Sequence, residues 1–202
     1  LALNLAQRRP KDVQGLLLLA PAFKLDGWSM PWSTRLLNLV RPWMLPFDCE
    51  LRERPPHGLK DERVRALVVG AMHAGSSGAT GVFSTPLAAF AHFNVLARAT
   101  RRRLNEVTLP TLIVHPRHDD MAHLRNAQLV QTNLGGIVDC VILDDSYHLV
   151  TLDKQRAIVA DRAAAFVSRL ARSAAPSSTA AAQTRPVHAL RRAQTGIPAV
   201  MH

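Results

Sequence analysis

The stretch that decides the fold is Leu109-Pro110-Thr111-Leu112-Ile113-Val114-His115-Pro116-Arg117-His118-Asp119-Asp120-Met121. A proline opens it, a β-rich apolar run follows, and the pattern stops abruptly at two adjacent carboxylates. An apolar run this short, with proline at both ends, reads as a buried parallel strand. The carboxylates then fall just past its C-terminal end, where open α/β sheets bind ligands and project catalytic side chains. A second run repeats the arrangement: Val138-Asp139-Cys140-Val141-Ile142-Leu143, then Asp144-Asp145-Ser146-Tyr147-His148. If the two strands are parallel neighbours, Asp119 and His148 emerge at the same sheet edge. A carboxylate that orients an imidazole supplies two of the three members of a nucleophilic triad, in the order acid then base.

Residues 110–156 resemble the C-terminal part of an α/β-hydrolase of the carboxylesterase and monoacylglycerol-lipase-like kind, a serine aminopeptidase S33-type hydrolase domain. In that family a Gly-x-x-Asp loop follows the acid strand, and the base lies in a Ser-x-His or Ser-Gly-His loop before the last helix. Here the acid loop reads Pro116-Arg117-His118-Asp119, with proline in place of the glycine. The base loop reads Asp145-Ser146-Tyr147-His148. The resemblance implies Asp119 as triad acid and His148 as base. It sets Asp120 aside, because the family register counts three residues from the glycine position. The implied fold class is α/β: the C-terminal part of an α/β-hydrolase fold, a parallel sheet flanked by helices, with a helical cap insertion.

Upstream, Leu1-Ala2-Leu3-Asn4-Leu5-Ala6-Gln7-Arg8-Arg9-Pro10 reads as the body and end of a helix stopped by proline. Val13-Gln14-Gly15-Leu16-Leu17-Leu18-Leu19-Ala20-Pro21-Ala22 follows as a buried strand. In the resembled family such a helix follows the nucleophile elbow, Gly-x-Ser-x-Gly, so the expectation is that the nucleophile Ser lies before Leu1 and that this chain holds none. An ordinary amphipathic helix opening a small α/β domain is the bland alternative.

The resemblance divides the chain into four parts. Residues 1–22 are partial hydrolase core, 23–84 a cap or lid, 85–170 hydrolase core with the acid and base loops, and 171–202 a disordered basic tail. In the cap region Trp28, Trp32 and Trp43 either pack a small cap core or contact substrate. Leu36, Leu37, Leu39 and Val40 read as a short helix, and residues 75–81 as a flexible linker rather than a phosphate loop. Residues 85–104 read as one helix with Pro86 in its first turn and Leu87, Phe90, Phe93, Leu96 and Ala97 on its core face. Arg101-Arg102-Arg103 closes it; interaction with the helix dipole is a sufficient explanation, and a phosphate-binding patch is the alternative. Residues 122–133 and 153–170 read as the remaining helices. Thr151 is the expected N-cap of the last one, and Ile158, Ala165, Phe166, Val167 and Leu170 its buried stripe.

Composition narrows the function classes. The chain has 202 residues, 48% of them hydrophobic, which suits one domain with a sizeable core. Its formal net charge is +10, but the tail beyond residue 170 holds four Arg and no acidic residue, so much of the excess is local. Aromatics make up 5%, too few for a stacking platform for single strands. With no helix-turn-helix or zinc signature either, no nucleic-acid partner is expected. Cys49 and Cys140 lie far apart, which argues against a disulfide framework and fits a cytoplasmic protein. No run approaches the roughly 18 apolar residues of a membrane span, and the first residues do not read as a secretory leader.

Three chemistries compete for the sites. The first is the acid and base of a serine-nucleophile carboxylic ester hydrolase, with a small-molecule ester as substrate and no cofactor. The second is a metal site from His115, His118, Asp119, Asp120 and His123, which are dense in nitrogen and oxygen ligands but match no closed zinc pattern; no metal is expected. The third is a non-catalytic truncated or pseudoenzyme fragment that serves, if at all, as an interaction module. Ser29, Ser33, Ser76, Ser77 and Ser146 are rejected as substitute nucleophiles, because none lies in a strand–elbow–helix context. The sequence leaves the oligomeric state open.

Overall fold

The computed structural model describes residues 1–32, 34, 50–73 and 84–174. The expected helix at 36–40, Trp43, the linker at 75–81 and the tail from 175 onward lie outside these residues. The elements in chain order are α1 (Ala2–Arg8), β1 (Leu16–Leu19), β2 (Glu50–Arg52), α2 (Glu62–His73), β3 (Ser84–Pro86), α3 (Leu87–Arg101), a single 3₁₀ turn (Leu104–Glu106), β4 (Thr111–Pro116), α4 (Arg125–Asn133), β5 (Val138–Leu143) and α5 (Arg156–Ala174).

β1, β4 and β5 form a parallel sheet in the order β1-β4-β5. Leu16 to Leu19 pair with Thr111 to Val114, and Thr111 to Pro116 pair with Val138 to Leu143. All six residues of the central strand β4 are buried, as expected of a strand covered on both faces. Ile113 packs with Leu3, Ala6, Leu16, Leu18 and Val130 in the layer under α1 and α4. Leu112 and Val114 pack with Val150, Val159 and Phe166 in the layer under α5. The alternation of side chains along a strand thus serves two helical layers, and each fully buried aliphatic side chain contributes about 1.5–3 kcal/mol. β4, α4 and β5 form the anticipated βαβ unit. The side chain of Gln7 on α1 donates to the carbonyls of Thr100 and Arg103 at 2.9 and 2.8 Å, tying α1 to the end of α3.

Several boundaries differ from the sequence reading, each for a local reason. α3 starts at Leu87, because Ser84–Pro86 instead pair antiparallel with Glu50–Arg52. α4 starts at Arg125 rather than 122, because the Asp119 carboxylate accepts the N–H groups of Met121 and Ala122 and holds them in a turn. α5 starts at Arg156 and runs to Ala174; Thr151 is not its cap, and Ile158, Ala165 and Val167 are exposed. The stripe that α5 buries is built on Val159 and Phe166, with Leu170 alongside. α2 was not anticipated. Its signal was present, since Asp61 accepts the N–H groups of Arg63 and Val64 in the manner of an N-cap.

Candidate active site

β4 and β5 end side by side, and the loop after each carries one of the two residues singled out from the sequence. Past Pro116 the chain turns through Arg117, whose N–H donates to the Leu143 carbonyl at 2.8 Å. Asp119 follows with a side chain fully out of solvent. Past Leu143 the other loop brings His148 back over the sheet edge. His148 Nδ1 lies 2.9 Å from Asp119 Oδ2 and 3.1 Å from Oδ1. A carboxylate can only accept, so Nδ1 carries the proton and the neutral ring keeps its lone pair on Nε2. The imidazole is one-fifth exposed, so a reactant can reach it. Burial pulls the His148 pKa down, but the hydrogen bond and charge of Asp119, helped by Asp120 and Glu53, more than offset it and leave the pKa raised.

Asp120, the second carboxylate, has a different task. It is fully buried, and its oxygens accept the N–H of Gly58 at 2.9 Å and the backbone N–H of His148 at 3.2 Å. Two consecutive carboxylates therefore hold His148, one by the ring and one by the main chain. Burial raises the Asp120 pKa; the two N–H donors lower it and the neighbouring Asp119 raises it, with a net upward shift. Its backbone carbonyl accepts both the N–H and the hydroxyl of Ser29, at 3.0 and 2.8 Å.

His115 sits beneath this pair with no exposed surface. Its Nε2–H donates to the Ala122 carbonyl at 3.0 Å and lies 3.5 Å from Asp119 Oδ2, while Nδ1 has no hydrogen-bond partner among the described residues. Burial lowers its pKa, so it is a neutral brace across the acid loop. Asp153 is the residue that sequence reasoning missed most clearly. In sequence it reads as the start of a helix, yet it is a fully buried carboxylate that gathers the N–H groups of Lys60, Asp61 and Tyr147 at 2.6–3.0 Å. Asp153 and Asp120 together fasten residues 58–61 to the base loop. Leu149 completes the seam by donating to the Gly58 carbonyl at 2.8 Å. Gly58 sits at φ +74°, in the left-handed region where an L side chain is strained.

The remaining candidates find separate partners. His118 offers its carbonyl to Trp28 Nε1 at 3.1 Å, and His123 Nδ1 accepts the N–H of Arg125 at 3.2 Å. Among the described residues no three His, Cys, Asp or Glu side chains converge as metal ligands, so the cluster at 115–123 is not assembled as one site. Trp28 is 59% exposed and packs edge-on against Tyr147, with ring centroids 5.5 Å apart, next to His148. Among the described residues its partners are thus one from the acid loop, His118, and one from the base loop, Tyr147. Ser146 is buried and accepts the Gln155 N–H at 3.1 Å. Neither it nor Ser29 lies on a strand-to-helix elbow.

The family model described as "Serine aminopeptidase, S33" matches residues 1–155. No curated relative matches the chain by sequence. Among solved structures, the chain is similar to one from work on LipS and LipT, two metagenome-derived lipolytic enzymes. That match has 22% identity and a TM-score of 0.62, covering 83% of this chain and 60% of the other. A monoacylglycerol lipase of Paleococcus ferrophilus matches at 14% identity and TM-score 0.65, over 82% of this chain and 63% of the other. A soluble variant of the Saccharomyces cerevisiae monoglyceride lipase matches at 12% and 0.64, over 84% and 61%. The chain thus spans about 60% of the length of these structures. Among the described residues no helix is long and apolar enough to cross a membrane. From the family match and the shared architecture, the chain belongs to the serine aminopeptidase S33 family and has an α/β-hydrolase, monoacylglycerol-lipase-like fold.

Proposed function

We propose that this chain supplies the acid and base of a serine-dependent carboxylic ester hydrolase acting on a small-molecule ester. The observation that carries the reading is the Asp119–His148 hydrogen bond at the C-terminal edge of the parallel sheet. In the proposed reaction His148 Nε2 takes the proton from a serine hydroxyl, and the oxygen attacks the ester carbonyl. The same nitrogen then protonates the leaving alcohol. A water, giving its proton to His148, attacks the acyl-enzyme; the serine oxygen leaves with that proton returned from His148, and the acid is released. Asp119 holds the ring in the required tautomer and stabilises the imidazolium that forms twice per cycle. The nucleophile is a serine from outside residues 1–202, and the oxyanion donors come with it, one being the N–H after the serine. Residues 23–84 leave the sheet between β1 and α3, and we read them as the cap over the ester's acyl part. The two distant cysteines fit a cytoplasmic setting.

The edge of β1 supports a nucleophile supplied from elsewhere. Among the described residues β1 is paired on one side only, with β4. Leu17 and Leu19 of β1 also line a largely apolar groove of about 470 Å³, together with Leu3, Phe93 and Leu96. An open strand edge beside an apolar groove accepts a further strand. The test compares the chain as it stands with a form extended upstream by a half bearing Gly-x-Ser-x-Gly, on a short-chain aryl ester and with a serine-directed fluorophosphonate. The extended form should be labelled and should turn over, and His148→Ala should abolish turnover. Labelling of the 202-residue chain itself, with turnover lost in His148→Ala, would show that one of its own serines serves and would overturn the reading.

A further inference from the structure

α3, α4 and the loop after β1 border a half-open cavity of about 290 Å³ whose lining includes neither Asp119 nor His148. Four cations line it: Lys24 from the loop, Arg98 and Arg101 from α3, and Arg125 from α4. Among the described residues none of the four is bonded to a carboxylate. The Arg101-Arg102-Arg103 run is divided by the fold: Arg103 turns away to a two-pronged bond with Glu106, whereas Arg101 faces the cavity.

Fold stability explains only part of this charge. Arg98 and Arg101 stand in the last turn of α3, where cations complement the helix dipole. Arg125 stands in the first turn of α4, where the dipole disfavours a cation; that turn holds no acidic residue of its own, and the carboxylate at this end is Asp26 from the loop after β1. Lys24 belongs to no helix. Three separate elements thus bring positive charge to one concavity, one of them against its own local preference. The single carboxylate in the wall, Asp26, is engaged structurally: its Oδ1 accepts the N–H of His123 at 3.0 Å and the Asn126 amide at 3.1 Å. The Asn126 side-chain oxygen Oδ1 in turn accepts the N–H groups of Phe23 and Lys24, both at 2.9 Å. These hydrogen bonds to the buried Asn126 fix the backbone that carries Lys24, while the Lys24, Arg98, Arg101 and Arg125 side chains are themselves exposed.

We propose that this cavity binds a phosphoryl group carried on a small organic body. A phosphate monoester brings nearly two negative charges and three acceptor oxygens, which suits four convergent cationic donors better than a single carboxylate does. Guanidinium groups match phosphate oxygens two at a time. The proposal does not depend on the hydrolase reading, since Arg98, Arg101 and Arg125 have no part in it and Lys24 enters it only as a member of the 23–84 region.

The test follows the Asn126 side-chain amide and the backbone amides of 97–101 and 125–129 by heteronuclear NMR on the 202-residue chain. The probes are inorganic phosphate and glycerol phosphate, at ionic strength held constant with chloride. Both should give saturable shifts, with glycerol phosphate binding more tightly. The Arg98→Gln/Arg125→Gln double variant should weaken binding about tenfold or more, since two charge-assisted hydrogen bonds are lost. Arg162→Gln, an exposed change on α5, should leave it unaltered. Lys24→Gln, on a loop, gives a second measure that does not depend on either helix. Phosphatidylcholine vesicles doped with phosphatidic acid separate the two sources of the group. Vesicle binding reversed by glycerol phosphate assigns a lipid headgroup, and binding of the soluble ester alone assigns a free phosphate ester. Shifts that do not saturate, or that survive both the double variant and Lys24→Gln, overturn the site.

Discussion

His148 Nδ1 lies 2.9 Å from Asp119 Oδ2, and that contact decides the imidazole's titration. Burial alone would push the ring toward neutrality; Asp119 reverses the sign and the pKa is raised. The expected outcome for Asp119→Asn is therefore not a loss of shift but a change in its direction. With the main raising contribution removed, burial dominates and the His148 pKa should fall below its ordinary value of about 6.5. The Hε1 resonance followed against pH reads this directly. A His148 titration unchanged in Asp119→Asn would mean that the carboxylate does not govern the ring.

The two buried histidines should pull stability in opposite directions with pH. His148 has a raised folded pKa, so its contribution is complete below the unfolded value near 6.5 and fades as pH rises through the folded value. His115 has a lowered folded pKa, so its contribution is complete above the unfolded value and fades as pH falls through the folded one. Urea midpoints of the parent, His148→Gln and His115→Phe across pH 5 to 9 check the signs. The parent's advantage over His148→Gln should shrink toward the alkaline end, and its advantage over His115→Phe toward the acid end. The same slope for both variants would contradict the assignment.

What was legible in the chain was what is local. Thr111–Pro116 and Val138–Leu143 declare themselves as strands because each is a short apolar run ending in polar residues. Their parallel pairing then carries Asp119 and His148 to one edge with no further information. What was not legible depends on distant backbone. Asp153 looks like a helix-starting residue in sequence, and only the arrival of Lys60 and Asp61 from some ninety residues upstream turns it into a three-donor acceptor. β2 and β3 are three residues each, too short for an alternating pattern to register, and they pair with each other across a long separation. Trp28 likewise gives no sign in sequence that its indole N–H is directed at the His118 carbonyl.

Asp153 should matter more to stability than any exposed ion pair. Its carboxylate satisfies three backbone N–H groups and has no exposed surface. Asp153→Ala leaves those donors without a partner, at about 1–3 kcal/mol for each buried unsatisfied group, so a loss of about 3 kcal/mol or more is expected. Asp153→Asn keeps one acceptor oxygen and should cost less. Asp144→Ala, which removes the exposed pair with Arg117, should cost under about 1 kcal/mol. Denaturant unfolding of the three variants orders them, and a mild Asp153→Ala would show that water replaces the carboxylate at these donors.

Gly27 is the residue on which the acid loop rests. A Cβ built there would lie 2.2 Å from the Asp120 carbonyl oxygen and 2.4 Å from the Met121 nitrogen, both main-chain atoms that cannot swing aside. The contact exists because the two loops run flat against each other. The Gly27 N–H donates to the Met121 carbonyl at 2.9 Å, and Ser29 donates twice to the Asp120 carbonyl. Gly27→Ala must separate the loops, strain three hydrogen bonds worth about 1 kcal/mol each, and displace the carboxylate next to Asp119. The expected outcome is a destabilisation of about 2–4 kcal/mol together with a fall in the His148 pKa, since the raising contact with Asp119 loosens. Gly70 is the internal control. It lies within α2 with nothing within 4 Å of its built Cβ, so Gly70→Ala should stabilise by about 0.5–1 kcal/mol through helix propensity alone. Thermal unfolding and the His148 Hε1 titration of both variants separate the two effects. A Gly27→Ala protein as stable as the parent, with His148 titrating as before, would show that the 27–29 loop only lies against the acid loop and does not hold it.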